Sequence, residues 1–189
     1  MRVMLMIVVH YRPRSWCEEG RSIIVRSILC PSVVLSGAGS AAQSGDFTYA
    51  VNQSTITITQ YTGDGGSVAI PATVDGMAVT MIGSGAFFSN TVVTSVALPK
   101  SVTSFGERVF AACDVLASAT VDAATVGTEF SGLNALKNVT LGTNVISVGR
   151  SAFSGCSGVR SINLPDTVTS VGAEAFKGCS GTTNLSDRS

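Results

Sequence analysis

Phenylalanine returns through the second half of this 189-residue chain with a period of 23. Phe87, Phe110, Phe130, Phe153 and Phe176 are separated by 23, 20, 23 and 23 residues, and they are five of the eight Phe in the chain. Three residues after each stands Asn90, Cys113, Leu133, Cys156 or Cys179. Three further on come Val93, Leu116, Leu136, Val159 and Thr182, followed by the alternating apolar pairs Val96/Leu98, Ala119/Val121, Val139/Leu141 and Ile162/Leu164. A period held at so many positions at once marks a repeat architecture. Each unit is too small to bury its own apolar face, so the units must stack.

One coil can be read residue by residue. In Ser161-Ile162-Asn163-Leu164 the alternation directs Ile162 and Leu164 inward and Ser161 and Asn163 outward, the pattern of a half-buried strand. A turn follows, carrying Pro at 71, 99 and 165 and Gly at 142; a second aliphatic run such as Val168 and Val171 is then closed by Gly at 83, 106, 149 and 172. The segment Ala152-Phe153-Ser154-Gly155-Cys156 returns the chain to the next strand, and its length predicts a single helical or 3-10 turn. Parallel strands lie ~4.8 Å apart, so about five coils make a block roughly 20–25 Å long. The third coil is three residues short and has Ala119 at a large aliphatic position, which predicts the weakest coil.

The string Leu136-Lys137-Asn138-Val139-Thr140-Leu141-Gly142-Thr143-Asn144 fits the leucine-rich repeat strand pattern L-x-x-L-x-L-x-x-N. With Asn163-Leu164-Pro165-Asp166-Thr167-Val168-Thr169-Ser170-Val171-Gly172 and Ala175-Phe176-Lys177-Gly178-Cys179, it resembles the 23-residue repeat of the BspA-type leucine-rich repeat family over residues 67–189. The departures are Asn90 at the first Cys position, the short third coil, an insertion at Asp75-Gly76-Met77-Ala78-Val79, and a truncated last repeat. The resemblance implies a right-handed solenoid of the α/β leucine-rich repeat class, found mainly in bacterial surface and secreted proteins and associated with adhesion. Ahead of the coils, two alternating runs, Phe47–Val51 and Thr55–Thr59, flank a polar turn and read as a β-hairpin. A first coil needs cover for its inner face, so 43–66 is expected to be an N-terminal cap and 67–189 the solenoid.

Residues 1–42 read as a presequence. Arg21 and Arg26 precede the apolar run Ile28–Leu35, and small residues follow up to Ala42, with Ser40 and Ala42 placed for cleavage before Gln43. The run is too short to span a bilayer, which takes about 20 apolar residues, so no stable membrane insertion is expected after processing. This segment holds five Arg and two Glu, a net of +3, within a chain whose formal net charge is zero. It also holds the only His (His10) and the only Trp (Trp16). The rest carries a net of −3, which gives nucleic acid no basic surface to bind.

Removal of that segment would leave no His for a triad or base and no His/Cys metal set, so neither catalysis nor a cofactor or metal is expected. Asp114, Asp122, Glu129, Asp166 and Glu174 are scattered through turns without an in-phase pair. Gly63-Asp64-Gly65-Gly66 lacks the Lys-Ser/Thr and helix of a phosphate loop and reads as a turn. Cys113, Cys156 and Cys179 recur in phase with the Phe ladder and read as core thiols. The candidate partner-binding face is the outer side of the strands: Ser118, Thr120, Asn138, Thr140, Ser161 and Asn163, small, polar and uncharged. It lacks the aromatic platforms of a lectin, which favours a protein partner over a glycan. These features predict an exported, non-enzymatic binding or adhesion module, secreted or at the cell surface. The alternative is a structural spacer or fragment of a longer repeat protein. At the C-terminal side, Thr183-Asn184-Leu185 occupies the place of a further strand, and self-association through the last coil is expected there.

Overall fold

The computed structural model describes residues 42–180. The presequence and the Thr183-Asn184-Leu185 segment therefore lie outside the described residues. In chain order, β1 (Ala42–Ser44), β2 (Phe47–Asn52) and β3 (Thr55–Tyr61) are followed by β4 (Gly66–Ala69), β5 (Thr73–Val74) and β6 (Met77–Ile82). Each later coil then contributes two strands. These are β7 (Val93–Leu98) with β8 (Ser104–Phe105), β9 (Ser118–Val121) with β10 (Thr125–Val126), β11 (Asn138–Leu141) with β12 (Ser147–Val148), and β13 (Ser161–Asn163) with β14 (Ser170–Val171).

The first strand of every coil joins one five-stranded parallel sheet in the order β13-β11-β9-β7-β4. Its register puts like positions side by side. Val68, Val96, Ala119, Val139 and Ile162 form one buried row. Leu98, Val121 and Leu141 form a second. The second aliphatic run of each coil is also a strand, which the alternation in so short a segment did not disclose. It builds a second parallel ladder, β10-β12-β14, and β3-β6-β8 stack in the same manner nearer the N-terminus. The break between β8 and β10 falls where the short third coil begins. The result is a β-solenoid of about five turns.

The glycines closing the second run are required by this stacking. Gly83, Gly106, Gly149 and Gly172 donate their N–H to Ile58, Ile82, Val126 and Val148 of the preceding turn, each at 2.7 Å. A Cβ on Gly106 or Gly172 would run into the backbone of the turn before it. Pro165 and Pro99 start turns closed by Val168 and Val102, whose N–H groups return to the proline carbonyls.

The expected helical turn after each closing glycine is not what forms. Among the described residues a 3-10 segment occurs only at Thr128–Phe130, in the short coil. Around Phe87 and Phe153 the N–H groups two before, at and two after the Phe donate across to the next coil, as from Gly85, Phe87 and Ser89 to Glu107, Val109 and Ala111. The residues between them bond backward, Ala86 to Gly83 and Phe88 to Gly85. A helix needs consecutive N–H groups to bond backward, so the inter-coil bonds exclude it. The alternation is made by left-handed residues flanking the ring: Gly85 and Ser89, Arg108 and Ala112, Ser151 and Gly155, Glu174 and Gly178, with φ between 54° and 78°. Glycine takes this conformation freely, whereas a side chain there costs on the order of 1 kcal/mol.

The expected hairpin is present. β2 and β3 pair antiparallel, β1 adds to the outside of β2, and β3 runs parallel beside β6. Gly66 already belongs to β4, one residue ahead of the expected boundary. The insertion in the first coil is a second small hairpin, β5 against β6, turning at Asp75-Gly76, where both residues have positive φ. It meets the N-terminal hairpin through Tyr49, whose hydroxyl donates to the Asp75 carboxylate at 2.7 Å. Accepting that bond, Asp75 holds the phenol protonated and pushes its pKa up to about 12.

The Phe ladder is a column of rings in contact. Centroids lie 5.0 Å apart for Phe87–Phe110, 5.2 Å for Phe110–Phe130, 5.6 Å for Phe130–Phe153 and 5.7 Å for Phe153–Phe176. Tyr61 and Phe47 of the hairpin extend it, at 5.3 Å and 5.4 Å. Phe153 is fully buried with rings above and below. Phe153→Ala is therefore expected to cost about 3–5 kcal/mol, as a large-to-small change in a packed core. Thr140→Ala on the exposed face should fall within about 0.5 kcal/mol of wild type. Chemical denaturation of the two variants checks the pair.

Candidate functional site

The sheet register that buries the aliphatics also composes the outer face. One row reads Ser67, Ser95, Ser118, Asn138 and Ser161, and the next Ala69, Ala97, Thr120, Thr140 and Asn163. Strand neighbours in a row are ~4.8 Å apart. The sequence-predicted residues are thus brought together on three adjacent strands. Thr120, Asn138, Thr140 and Asn163 are exposed, Ser118 is half-buried, and Ser161 is placed by its backbone pairing with Asn138. The Asn138 amide donates to the Ser118 hydroxyl at 3.4 Å. Asn138, Thr140 and Asn163, with the backbone of Val139 and Leu141, line a shallow depression of about 230 Å³. Every side chain in the two rows is small and uncharged, so the face offers hydrogen-bond donors and acceptors without a fixed charge.

Two functional-looking residues escaped the alternating pattern. Lys137 and Arg160 stand immediately before Asn138 and Ser161, on neighbouring coils, and the Arg160 N–H donates to the Lys137 carbonyl at 3.3 Å. Both are exposed. Among the described residues the ion pair that forms is Lys177–Glu174 on the last coil, and neither Lys137 nor Arg160 takes part in one. The signal was available, because the two follow Leu136 and Val159 at the 23-residue period.

The thiols are placed as the phase predicts, and the structure shows what they do. Cys113 Sγ donates to the Phe87 carbonyl at 2.9 Å, Cys156 to Phe130 at 2.9 Å and Cys179 to Phe153 at 3.1 Å. Each thiol therefore serves the carbonyl of a ladder Phe on the preceding coil. Burial holds all three in the thiol form and pushes Cys156 up to about 11. A nucleophilic role needs the opposite shift. Asn90, at the first Cys position, instead turns its Oδ1 to the N–H groups of Val92 and Val93 and so fixes the turn into β7. On the folded protein, Cys113 and Cys156 should react with a thiol reagent far more slowly than in denaturant; equal rates would contradict the burial.

The other expected carboxylates sit in turns, but Glu129 does not. It is buried, with 8% of its surface exposed, in a column that holds Ala86, Val109, Ala152 and Ala175 in the other coils. Its carboxylate accepts the Gly127 N–H at 2.8 Å, and desolvation outweighs that bond and raises its pKa. A raised folded pKa means the fold favours the neutral acid. The associated stability is present below the unfolded carboxyl range and is lost as pH rises through the folded value. Glu129→Gln is therefore expected to melt higher than wild type at neutral pH, with the difference narrowing on acidification. Thermal melts across that range measure it. The Gly63–Gly66 segment is the short connection from β3 into β4, with Gly65 and Gly66 at positive φ and the Gly65 N–H bonded to the Tyr61 hydroxyl. Among the described residues no group of three or more His, Cys, Asp or Glu converges as a metal site would require.

A parallel solenoid with an in-phase Phe, Cys and aliphatic repeat defines a leucine-rich repeat protein. The pattern of the BspA type leucine rich repeat region matches residues 67–183 in six copies, and the chain belongs to that family. Among solved structures it is similar to the T. pallidum leucine rich repeat protein. The two are 26% identical, over 74% of this chain and 68% of that one, with a TM-score of 0.61. A leucine-rich repeat protein from Eubacterium ventriosum is 21% identical over 78% of this chain and 54% of its own, with a TM-score of 0.51. A leucine rich cell surface protein from Faecalibacterium prausnitzii is 23% identical over 77% of this chain and 54% of its own, at 0.42. No curated protein matches the sequence.

Proposed function

We propose that the chain is an exported, non-enzymatic leucine-rich repeat module that binds a protein partner at the cell surface through the outer face of its five-stranded sheet. The observation that carries this reading is the register of that sheet, which collects Thr120, Asn138, Thr140 and Asn163 on one exposed, uncharged surface beside a depression. Repeat proteins use such extended faces for binding, since affinity accumulates over several stacked units. Export is supported by the arrangement of Arg21, Arg26, the apolar run and the small residues up to Ala42. A protein partner is favoured over a glycan by the absence of aromatic side chains from the two rows.

The chain bearing Asn138→Ala and Asn163→Ala should lose a partner that the wild-type chain recovers from surface extracts, while its melting curve is unchanged. Loss of the partner with equally lowered stability, or no loss, would contradict the assignment. In the same preparation the secreted product should begin near Gln43. A chain retained in the cytoplasm and still starting at Met1 would remove the export half of the reading.

A further inference from the structure

We propose that Lys137 and Arg160, together with the side-chain amides of Asn138 and Asn163, form a carboxylate-binding subsite. The segment docked on this face is accordingly an extended acidic peptide of the partner. The inference rests on the reading of the face as a binding surface and names what it binds.

Parallel stacking forces the two cations together. Lys137 and Arg160 occupy the same column on adjacent coils, joined by the backbone bond between them, so their backbones are held at the ~4.8 Å strand spacing. Like charges directly opposite one another on neighbouring strands repel. No ion pair among the described residues relieves this. The coils before them carry Thr94 and Ala117 at the same position, so the positive charge is confined to the coils that form the depression. The depression itself is lined by Asn138, Thr140 and Asn163, and Lys137 and Arg160 stand next in the chain to Asn138 and Ser161 at its margin. A carboxylate placed between the two cations, with the rest of its peptide over the depression, neutralises both at once, and charge-assisted bonds to Arg and Lys are the strong ones. The neighbouring Asn side chains each present a donor and an acceptor, which is the hydrogen-bonding complement of a peptide unit. The rows bear no carboxylate that would repel such a ligand.

The test is fluorescence anisotropy on the full chain with a labelled peptide of alternating Glu and Ser, beside Gln-Ser and Lys-Ser peptides and a sulfated polysaccharide. The Glu-Ser peptide should bind and the two control peptides should not. Lys137→Gln with Arg160→Gln should weaken it about tenfold and flatten its salt dependence, as expected for two exposed charge contacts. Asn138→Ala with Asn163→Ala should weaken it as well. Peptides that bind irrespective of charge, or a Lys137/Arg160 double variant that binds like wild type, would overturn the proposal. If the Asn variants still abolished partner recovery in that case, the binding-face reading would stand alone. Indifference of every ligand and partner to the Asn variants would remove both. Binding of the sulfated polysaccharide but not of the Glu-Ser peptide would overturn the acidic peptide as occupant. All these substitutions are at exposed positions, and matching melting curves establish that a loss of binding is not a loss of fold.

Discussion

The column of aromatic rings from Phe47 through Tyr61 and the five ladder phenylalanines to Phe176 is the contact on which the rest of the solenoid depends. Each ring packs against the ring of the next coil, so no coil completes its core alone. Centroid spacings of 5.0–5.7 Å are slightly wider than the ~4.8 Å backbone repeat, and the rings meet that difference by tilting and offset. Around each inward Phe the backbone must reverse within a few residues. Left-handed residues on either side of the ring accomplish this everywhere but before Phe130, and inter-coil hydrogen bonds such as Ser89 to Ala111 and Gly155 to Lys177 lock one turn to the next. The thiols complete the arrangement by satisfying the carbonyls of the same phenylalanines.

This core also explains why the outer face is so even. Nearest-neighbour stacking holds the strands in register, so residues one repeat apart line up along each outward row. Small hydroxyl and amide side chains therefore accumulate into a continuous surface without any one of them being unusual. Charge enters only at its margin, where Lys137 and Arg160 coincide in phase. Exposed charges contribute little to the stability of the fold, which leaves them free to serve recognition.

The third coil shows how such a ladder tolerates a defect. Three missing residues abolish the left-handed position before Phe130, replace it with a 3-10 turn, and interrupt the second strand ladder between β8 and β10. The Phe column and the first sheet continue through it without a gap. Glu129 occupies an otherwise apolar column in the same coil, and its carboxylate satisfies the Gly127 N–H.

Periodicity alone disclosed the repeat, the inward rows, the core position of the cysteines, the N-terminal hairpin and the polar face of Asn138, Thr140 and Asn163. It could do so because a period of two within a strand and of 23 between coils states which side chains share a row. The tertiary structure decided what depends on where the backbone hydrogen bonds go. Two-residue strands such as Ser147–Val148 are too short to show alternation and exist only because neighbouring coils pair with them. The turns around Phe87, Phe110, Phe153 and Phe176 look helical by length, yet the residues flanking each ring are left-handed, a choice no local propensity records for Arg108, Ala112 or Glu174. The burial of Glu129 is likewise a consequence of stacking. A residue's own neighbours in sequence say nothing of the coil above it, and in a solenoid that coil is most of its environment.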